Sequence, residues 1–271
     1  MSPNRPDGPA DASVGPANPA RMYDYFLGGA ANFANDRALA EQVLAVEPDA
    51  ARIARANRAF LGRAVRFLVG EGIDQFLDLG SGVPTADNVH QVAHRVNPGA
   101  RVVYVDHEPV AAAYAAELVA DEPLVATVEA DLVDTTTVLA RAAELLDLDR
   151  PVAVLCVAAL HFVPDAVDPA AVVARYRDAL APGSHLVLSH GTEDGRPGVA
   201  DRGSALYTRS TQPLVLRSRA DVTVLLDGFT VLPPGIVFTP EWRTDGAAPT
   251  GPFADSPAGA GMYAAVGRLD A

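Results

Sequence analysis

The chain has 271 residues, 49% of them apolar and 20% charged, a globular balance that excludes a collagen-like repeat, disorder throughout or a disulfide scaffold. Its 21 basic residues, all arginine, stand against 34 acidic ones for a net charge of −13. Such a surface repels phosphate backbones, so no nucleic-acid partner is expected.

The lack of lysine removes Schiff-base and Walker-type lysine chemistry. The single cysteine, Cys156, leaves no intramolecular disulfide and no multi-cysteine zinc site. The N-terminus has no apolar core behind a positive charge, so it does not read as a signal peptide. The longest apolar run, Val152 to Leu160, is too short to span a bilayer. A cytoplasmic protein without a membrane partner is expected, as a monomer or homodimer.

In chain order, residues 1–18 are rich in Pro, Gly, Asp and Ala without periodicity, and predict a disordered tail. Residues 19–70 predict a helical cap: a first helix carrying Met22, Tyr23, Phe26 and Leu27 and broken at Gly28-Gly29, a second to Pro48, and a third over 49–69. From residue 71 the rhythm changes. Strand runs at 75–80, 101–106, 126–131, 152–158 and 184–190 alternate with helices near 86–96, 109–121, 135–147 and 168–180. Unalternating aliphatic runs suit parallel strands covered on both faces, the pattern of a doubly wound α/β sheet. Two more strands, 229–238 and 262–269, complete a seven-stranded Rossmann-like sheet over 71–271, the last strand antiparallel. The Pro/Gly-rich stretch between them predicts a flexible hairpin loop.

The chemistry concentrates at strand ends. In FLDLGSGVPT a strand carrying Asp78 runs into the Gly80-Ser81-Gly82 turn, whose glycines let the backbone pass close under a ligand. Asp106 ends the second strand, where nucleoside binders hold ribose hydroxyls with a carboxylate. Asp131 ends the third, on the same carboxyl edge, where ligands of open α/β sheets lie. The pattern leaves open a tight turn without ligand. An NAD(P) reductase is disfavoured because position 85 is Thr where GxGxxG needs Gly.

DLGSG, YVDHEP, EADL and VAALHFVPD, in this order and spacing, resemble the first four motifs of class I S-adenosylmethionine-dependent methyltransferases. PARMYDYFLGGAANFANDR narrows the resemblance to a bacterial S-adenosyl methyltransferase family once filed as a domain of unknown function. The resemblance implies S-adenosylmethionine as cofactor. It places Gly80, Ser81 and Gly82 beneath its methionine part with Asp78 anchoring the turn, Asp106 on the ribose, and Asp131 and Leu132 on the adenine. Backbone carbonyls of Cys156 and Val157 would face the amino group.

His161, after the fourth strand, is the candidate acid–base residue. His90 and His94 sit at i, i+4, but HQVAH lacks the Glu of a zinc motif, so no metal is expected. Gly28-Gly29 followed by Asn32 suggests a hinge, making the first helix a lid from which Arg21, Tyr23 or Asn32 reaches the cofactor. The reading is methyl transfer to an oxygen, nitrogen or carbon of a small-molecule acceptor. Its alternative is a non-catalytic S-adenosylmethionine or nucleoside binder.

Overall fold

The computed structural model describes residues 15–84, 87–196, 198, 200–244 and 251–270. The expected tail thus lies largely outside the described residues. The five aliphatic runs become β1 (Gln75–Leu79), β2 (Arg101–Asp106), β3 (Val125–Glu129), β4 (Ala153–Val157) and β5 (His185–Gly191). They lie parallel in the order β3-β2-β1-β4-β5, with Leu77 of β1 beside Val103 of β2 and Val154 of β4. The order reverses between β1 and β4, and that switch point fixes where a ligand can enter.

β8 (Met262–Arg268) runs antiparallel to β5. Its other edge takes β6 (Thr230–Val231) and β7 (Val237–Phe238). The expected strand over 229–238 is therefore two short ones, and the sheet has eight strands where seven were expected. Pro233 and Pro234 have no N–H to give a ladder, so pairing stops between them.

Side-chain alternation explains the two cores. Leu77, Val103, Val105, Val154 and Leu186 join one cluster with α6 (Thr135–Ala142), α7 (Pro169–Asp178) and α9 (Arg219–Leu225). Phe76, Val102, Leu155 and Val187 face the other way, onto α3 (Ala50–Gly70) and α4 (Val89–His94). Because both faces are covered, each strand reads as an unbroken apolar run. α5 (Pro109–Leu118) and α8 (Ala200–Tyr207) complete the helices around the sheet.

The cap consists of α1 (Pro19–Leu27), α2 (Ala34–Val46) and the first half of α3. Met22 and Phe26 bury against Leu39, Val43 and Ala54 in a third cluster. Asn18 starts α1, its Oδ1 accepting from the Ala20 N–H at 2.8 Å, and Pro19 fits the first turn because no N–H is needed there. Gly28 ends it in the left-handed region, φ 86°. The Gly28 and Gly29 amides then donate to the Tyr25 and Asp24 carbonyls at 2.9 and 2.8 Å. A Cβ on Gly29 would lie 1.7 Å from Asp24 Oδ1. The glycine pair, expected as a hinge, forms the packed stop of α1.

Two further expectations change. Among the described residues of 239–261, Trp242 is fully buried, edge-on to Phe60 and Phe67 with centroids 5.4 and 5.7 Å away, so the segment is pinned to α3 instead of forming a loose hairpin loop. Residues 245–250 of it lie outside the described residues. Sequence periodicity also passes over α8 and α9. No helix among the described residues is long and apolar enough to cross a membrane.

Candidate active site

A cavity opens along the carboxyl edge of the sheet at the switch point, roofed by the cap. One half is lined by Asp78, Gly80, Ser81, Gly82, Asp106, Asp131, Leu132 and Val157; the other is formed by the cap, His161, Phe162, α8 and the segment after it. Strand alternation explains one selection. Val157 turns to the cavity, whereas the Cys156 side chain enters the opposite core at 1% exposure, its thiol pushed up by burial.

The turn is held by its neighbour strand. Gly80 and Gly82 adopt φ 68° and 67°, a region only glycine enters cheaply. The Gly80 and Ser81 amides donate to the Val105 carbonyl at 2.8 and 3.0 Å. The Gly82 amide donates to Asp106 Oδ2 at 2.7 Å, and Glu108 N–H to Oδ1 at 2.9 Å. Asp106, not Asp78 as expected, anchors the turn.

Asp78 is left facing the cavity. It shares a strand face with Phe76 and so points toward α3, where Arg58 also lines the cavity. Burial raises its carboxyl to about 7; the Asp106 charge adds to the rise and the Arg58 charge opposes it. The two form no direct ion pair. Arg58 Nη2 instead donates to Asn88 Oδ1 at 3.0 Å, and its buried Nε has no partner. Burial likewise raises Asp106, against the Glu108, Gly82 and His107 amides that favour its ionised form. Asp131 is exposed at the cavity rim, accepting from the Val133 N–H at 3.0 Å. The Leu132 carbonyl accepts from the Tyr176 hydroxyl at 2.7 Å.

The N-terminal candidates divide. Tyr23 lines the cavity in a fixed chain: its hydroxyl donates to the Ala54 carbonyl and accepts from Asn57 Nδ2, both at 3.0 Å. Asn57 Oδ1 accepts from Ser189 Oγ at 2.6 Å, and Ser189 Oγ accepts from the Ala158 N–H at 2.9 Å. The cap is thereby tied to the ends of β5 and β4. Arg21 and Asn32 are not among the lining residues. Arg21 is buried in ion pairs with Asp36 at 2.7 Å and Glu108 at 2.5 Å, and Asn32 donates to Asp24 Oδ2 at 2.7 Å and the Gly29 carbonyl at 3.0 Å.

His161 lines the cavity, but its chemistry differs from the expectation. Burial, with His190 and the Arg217 charge, holds its imidazole well below the usual range, so the ring is neutral. Its Nδ1 accepts from the Gly191 N–H at 3.2 Å. A neutral ring accepting at Nδ1 carries its proton on Nε2. His161 therefore has an N–H to offer and no free lone pair for a base. His90 and His94 serve the fold, bonding the Tyr104 hydroxyl at 2.7 Å and the Ala100 carbonyl at 2.9 Å.

The profile of the S-adenosyl methyltransferase family matches residues 8–270. The chain belongs to the S-adenosyl methyltransferase family. A crystal structure from Thermobifida fusca YX shares 38% identity with this methyltransferase, covering 94% of it and 96% of the other chain at a TM-score of 0.88. A DUF574 family protein from Streptomyces avermitilis shares 35% identity, covering 94% and 98%, also at 0.88. An N-methyltransferase from Bradyrhizobium japonicum, in complex with S-adenosyl-L-homocysteine, shares only the fold: 15% identity, 92% and 98% covered, TM-score 0.50. No curated protein sequence matches. The chain is thus an S-adenosylmethionine-dependent methyltransferase with the Rossmann-like fold of that class.

Sequence reasoning passed over several lining residues of this methyltransferase: Arg58, Asn57, Glu47, Arg196, Tyr207 and Leu216. Arg58 and Asn57 sit mid-helix without local signal. The segment holding Tyr207 and Leu216 lacks periodicity, although Ser218 and Asp221 form a capping box that marks the start of α9.

Proposed function

We propose that the cavity binds S-adenosylmethionine across β1, β2 and β3 and methylates a small molecule held under the cap. The observation that carries this is that Asp78, whose carboxyl has no partner among the described residues, and Arg58, whose buried Nε has none, both line the cavity. The buried polar atoms lack partners of their own and fit a zwitterionic amino-acid end, ammonium toward Asp78 and carboxylate toward Arg58. The Gly80–Gly82 backbone then passes beneath the chain of the cofactor. Asp106 keeps carboxylate lone pairs for two ribose hydroxyls beyond those its amides use. Asp131 and the Leu132 backbone stand at the adenine end.

The bound cofactor supplies an electrophilic methyl group on a sulfonium. The protein's part is alignment: holding the acceptor in line with that methyl under the cap supplies much of the rate. His161 gives an N–H to the acceptor, which orients it, and takes no proton from it; the proton that a neutral acceptor must lose on gaining the methyl passes to solvent water at the cavity mouth. The cap excludes water through the Tyr23–Asn57–Ser189 chain, which fixes its distance from the end of β4.

Calorimetry with S-adenosyl-L-homocysteine tests the cofactor half. Asp106→Ala removes the ribose acceptor and also frees the Gly82 amide, so affinity should fall at least about tenfold, equivalent to about 1.4 kcal/mol. Unchanged affinity would remove Asp106 from the site.

A further inference from the structure

The acceptor half of the cavity neutralises its own charges. Glu47 of the cap and Arg196 beyond β5 both line it, and Arg196 Nη2 bonds both Glu47 carboxylate oxygens. Their side chains are 10% and 13% exposed, so the pair is nearly desolvated. The nearby Arg217 is turned away, its guanidinium held by Asp165, His190 and the Leu160 and Val163 carbonyls. His161 is neutral, and the Tyr207 hydroxyl is kept protonated by burial. Of the other charged lining residues, Asp78, Arg58, Asp106 and Asp131 are taken up by the cofactor in the reading above, and Glu108 is paired with Arg21.

Besides this neutral pair the cavity carries ring and aliphatic surface, with Thr192, Ser204 and Gln212 as uncharged polar lining. Phe162 and Tyr207 lie 5.8 Å apart at 42°, and Phe26 of α1 also lines the cavity. Ile53, Leu214 and Leu216 add aliphatic lining. Rings set at an angle favour a flat partner that meets one by its face and another by its edge.

We infer that the methyl acceptor is an uncharged aromatic small molecule bearing an oxygen that takes one hydrogen bond, because the acceptor half pairs Glu47 with Arg196 and lines the remaining space with rings. This rests on the methyl-transfer reading of the same cavity. With the cofactor on Asp78, Arg58, Asp106 and Asp131, a carboxylate or ammonium on the acceptor would lose its water and find no opposite charge free among the other described lining residues. The oxygen meets the N–H of His161.

The test compares three probes on one ring system: 2-naphthol, anionic 6-hydroxy-2-naphthoate and cationic 2-naphthylmethylamine. Each is titrated calorimetrically into the full chain, free and loaded with S-adenosyl-L-homocysteine, whose uncharged thioether adds no field of its own. We expect 2-naphthol to bind at least tenfold tighter than either charged probe. Equal or tighter binding of a charged probe, or binding of none of the three, overturns the inference. If S-adenosyl-L-homocysteine itself fails to bind, the cofactor reading falls, and the comparison of Glu47→Gln with wild type in the free chain, where Asp78 and Arg58 are the same in both, still decides whether the pair selects the acceptor. Glu47→Gln unmasks the Arg196 charge and should close the gap between naphthol and naphthoate about tenfold. An unchanged gap in a folded variant would show that the pair does not set selection, and would overturn it too.

Discussion

Asp78 shows how a single residue trades stability for a binding role. Its carboxyl is raised to about 7, chiefly by burial, whereas in the unfolded chain it would titrate near 4. The folded state therefore holds an extra proton between those values. Stability from this group is full below about pH 4 and is lost as pH rises through 7. Asp78→Asn removes that loss. In urea titrations the variant should gain on the wild type progressively from pH 4 to 7, by at most about 1.4 kcal/mol per pH unit, and the gain should stay level above that. The same change should weaken S-adenosyl-L-homocysteine. Wild-type affinity should fall about tenfold per unit below pH 7, with proton release visible in buffers of different ionisation enthalpy. A pH-independent affinity would mean that no ammonium meets Asp78. The turn glycines separate in the same manner. A Cβ on Gly80 would lie 2.7 Å from the Ala159 Cβ, while one on Gly82 would meet nothing nearer than Ala20 at 3.8 Å. Both alanine variants bear the strain of positive φ, about 1 kcal/mol or somewhat more. Gly80→Ala must also displace the start of the loop after β4, so its thermal midpoint should fall further than that of Gly82→Ala.

Between elements, the strongest tie is the buried cluster of Arg21, Asp36 and Glu108. It joins α1 to α2 and both to the N-cap of α5, where Glu108 Oε2 also accepts from the Ala111 N–H at 2.7 Å. Asp36 is fully buried and accepts from the Asn18 and Phe33 amides as well, both at 2.9 Å. Arg21→Met would leave two buried carboxylates without their cation, a change that typically costs about 3–5 kcal/mol. Arg141→Met, which breaks an exposed pair with Glu144, should leave the urea midpoint almost in place. A similar small effect from both would mean that the buried cluster is open to water. The cluster also explains the misjudged role of Arg21. A helix with one arginine on its inner face reads as a cofactor contact when the two acids that consume it lie 15 and 87 residues away in sequence.

At the scale of the whole molecule, the cap is tied to the rest of the chain at its N-terminal edge. Residues just before α1 pair with the segment after α8: the Thr211 amide donates to the Ala17 carbonyl at 2.9 Å, and Asn18 Nδ2 donates to Thr211 Oγ1 at 3.1 Å. With Arg21 at 3% exposure, trypsin should reach the bond after it only through global unfolding. Cleavage there should be as slow as cleavage after Arg101 at the start of β2, in the free protein and with S-adenosyl-L-homocysteine. Cleavage after Arg21 much faster than after Arg101 would restore a mobile lid.

What the sequence determined by itself was everything carried by local pattern. Unbroken aliphatic runs between amphipathic helices determine a parallel sheet covered on both faces, and Asp78, the Gly80–Gly82 turn, Asp106 and Asp131 fall at strand ends by position alone. Only the tertiary structure decided which polar groups are free. Asp106 anchors the turn because β2 lies beside β1, and Asp78 stays unpaired because strand alternation aims it at α3. His161 offers a proton instead of taking one because the Gly191 amide reaches its Nδ1 from the end of β5. The acceptor half was illegible for the same reason. Glu47 and Arg196 cancel each other across 149 residues, and a charge's availability depends on its neighbours in space, which periodicity along the chain does not encode.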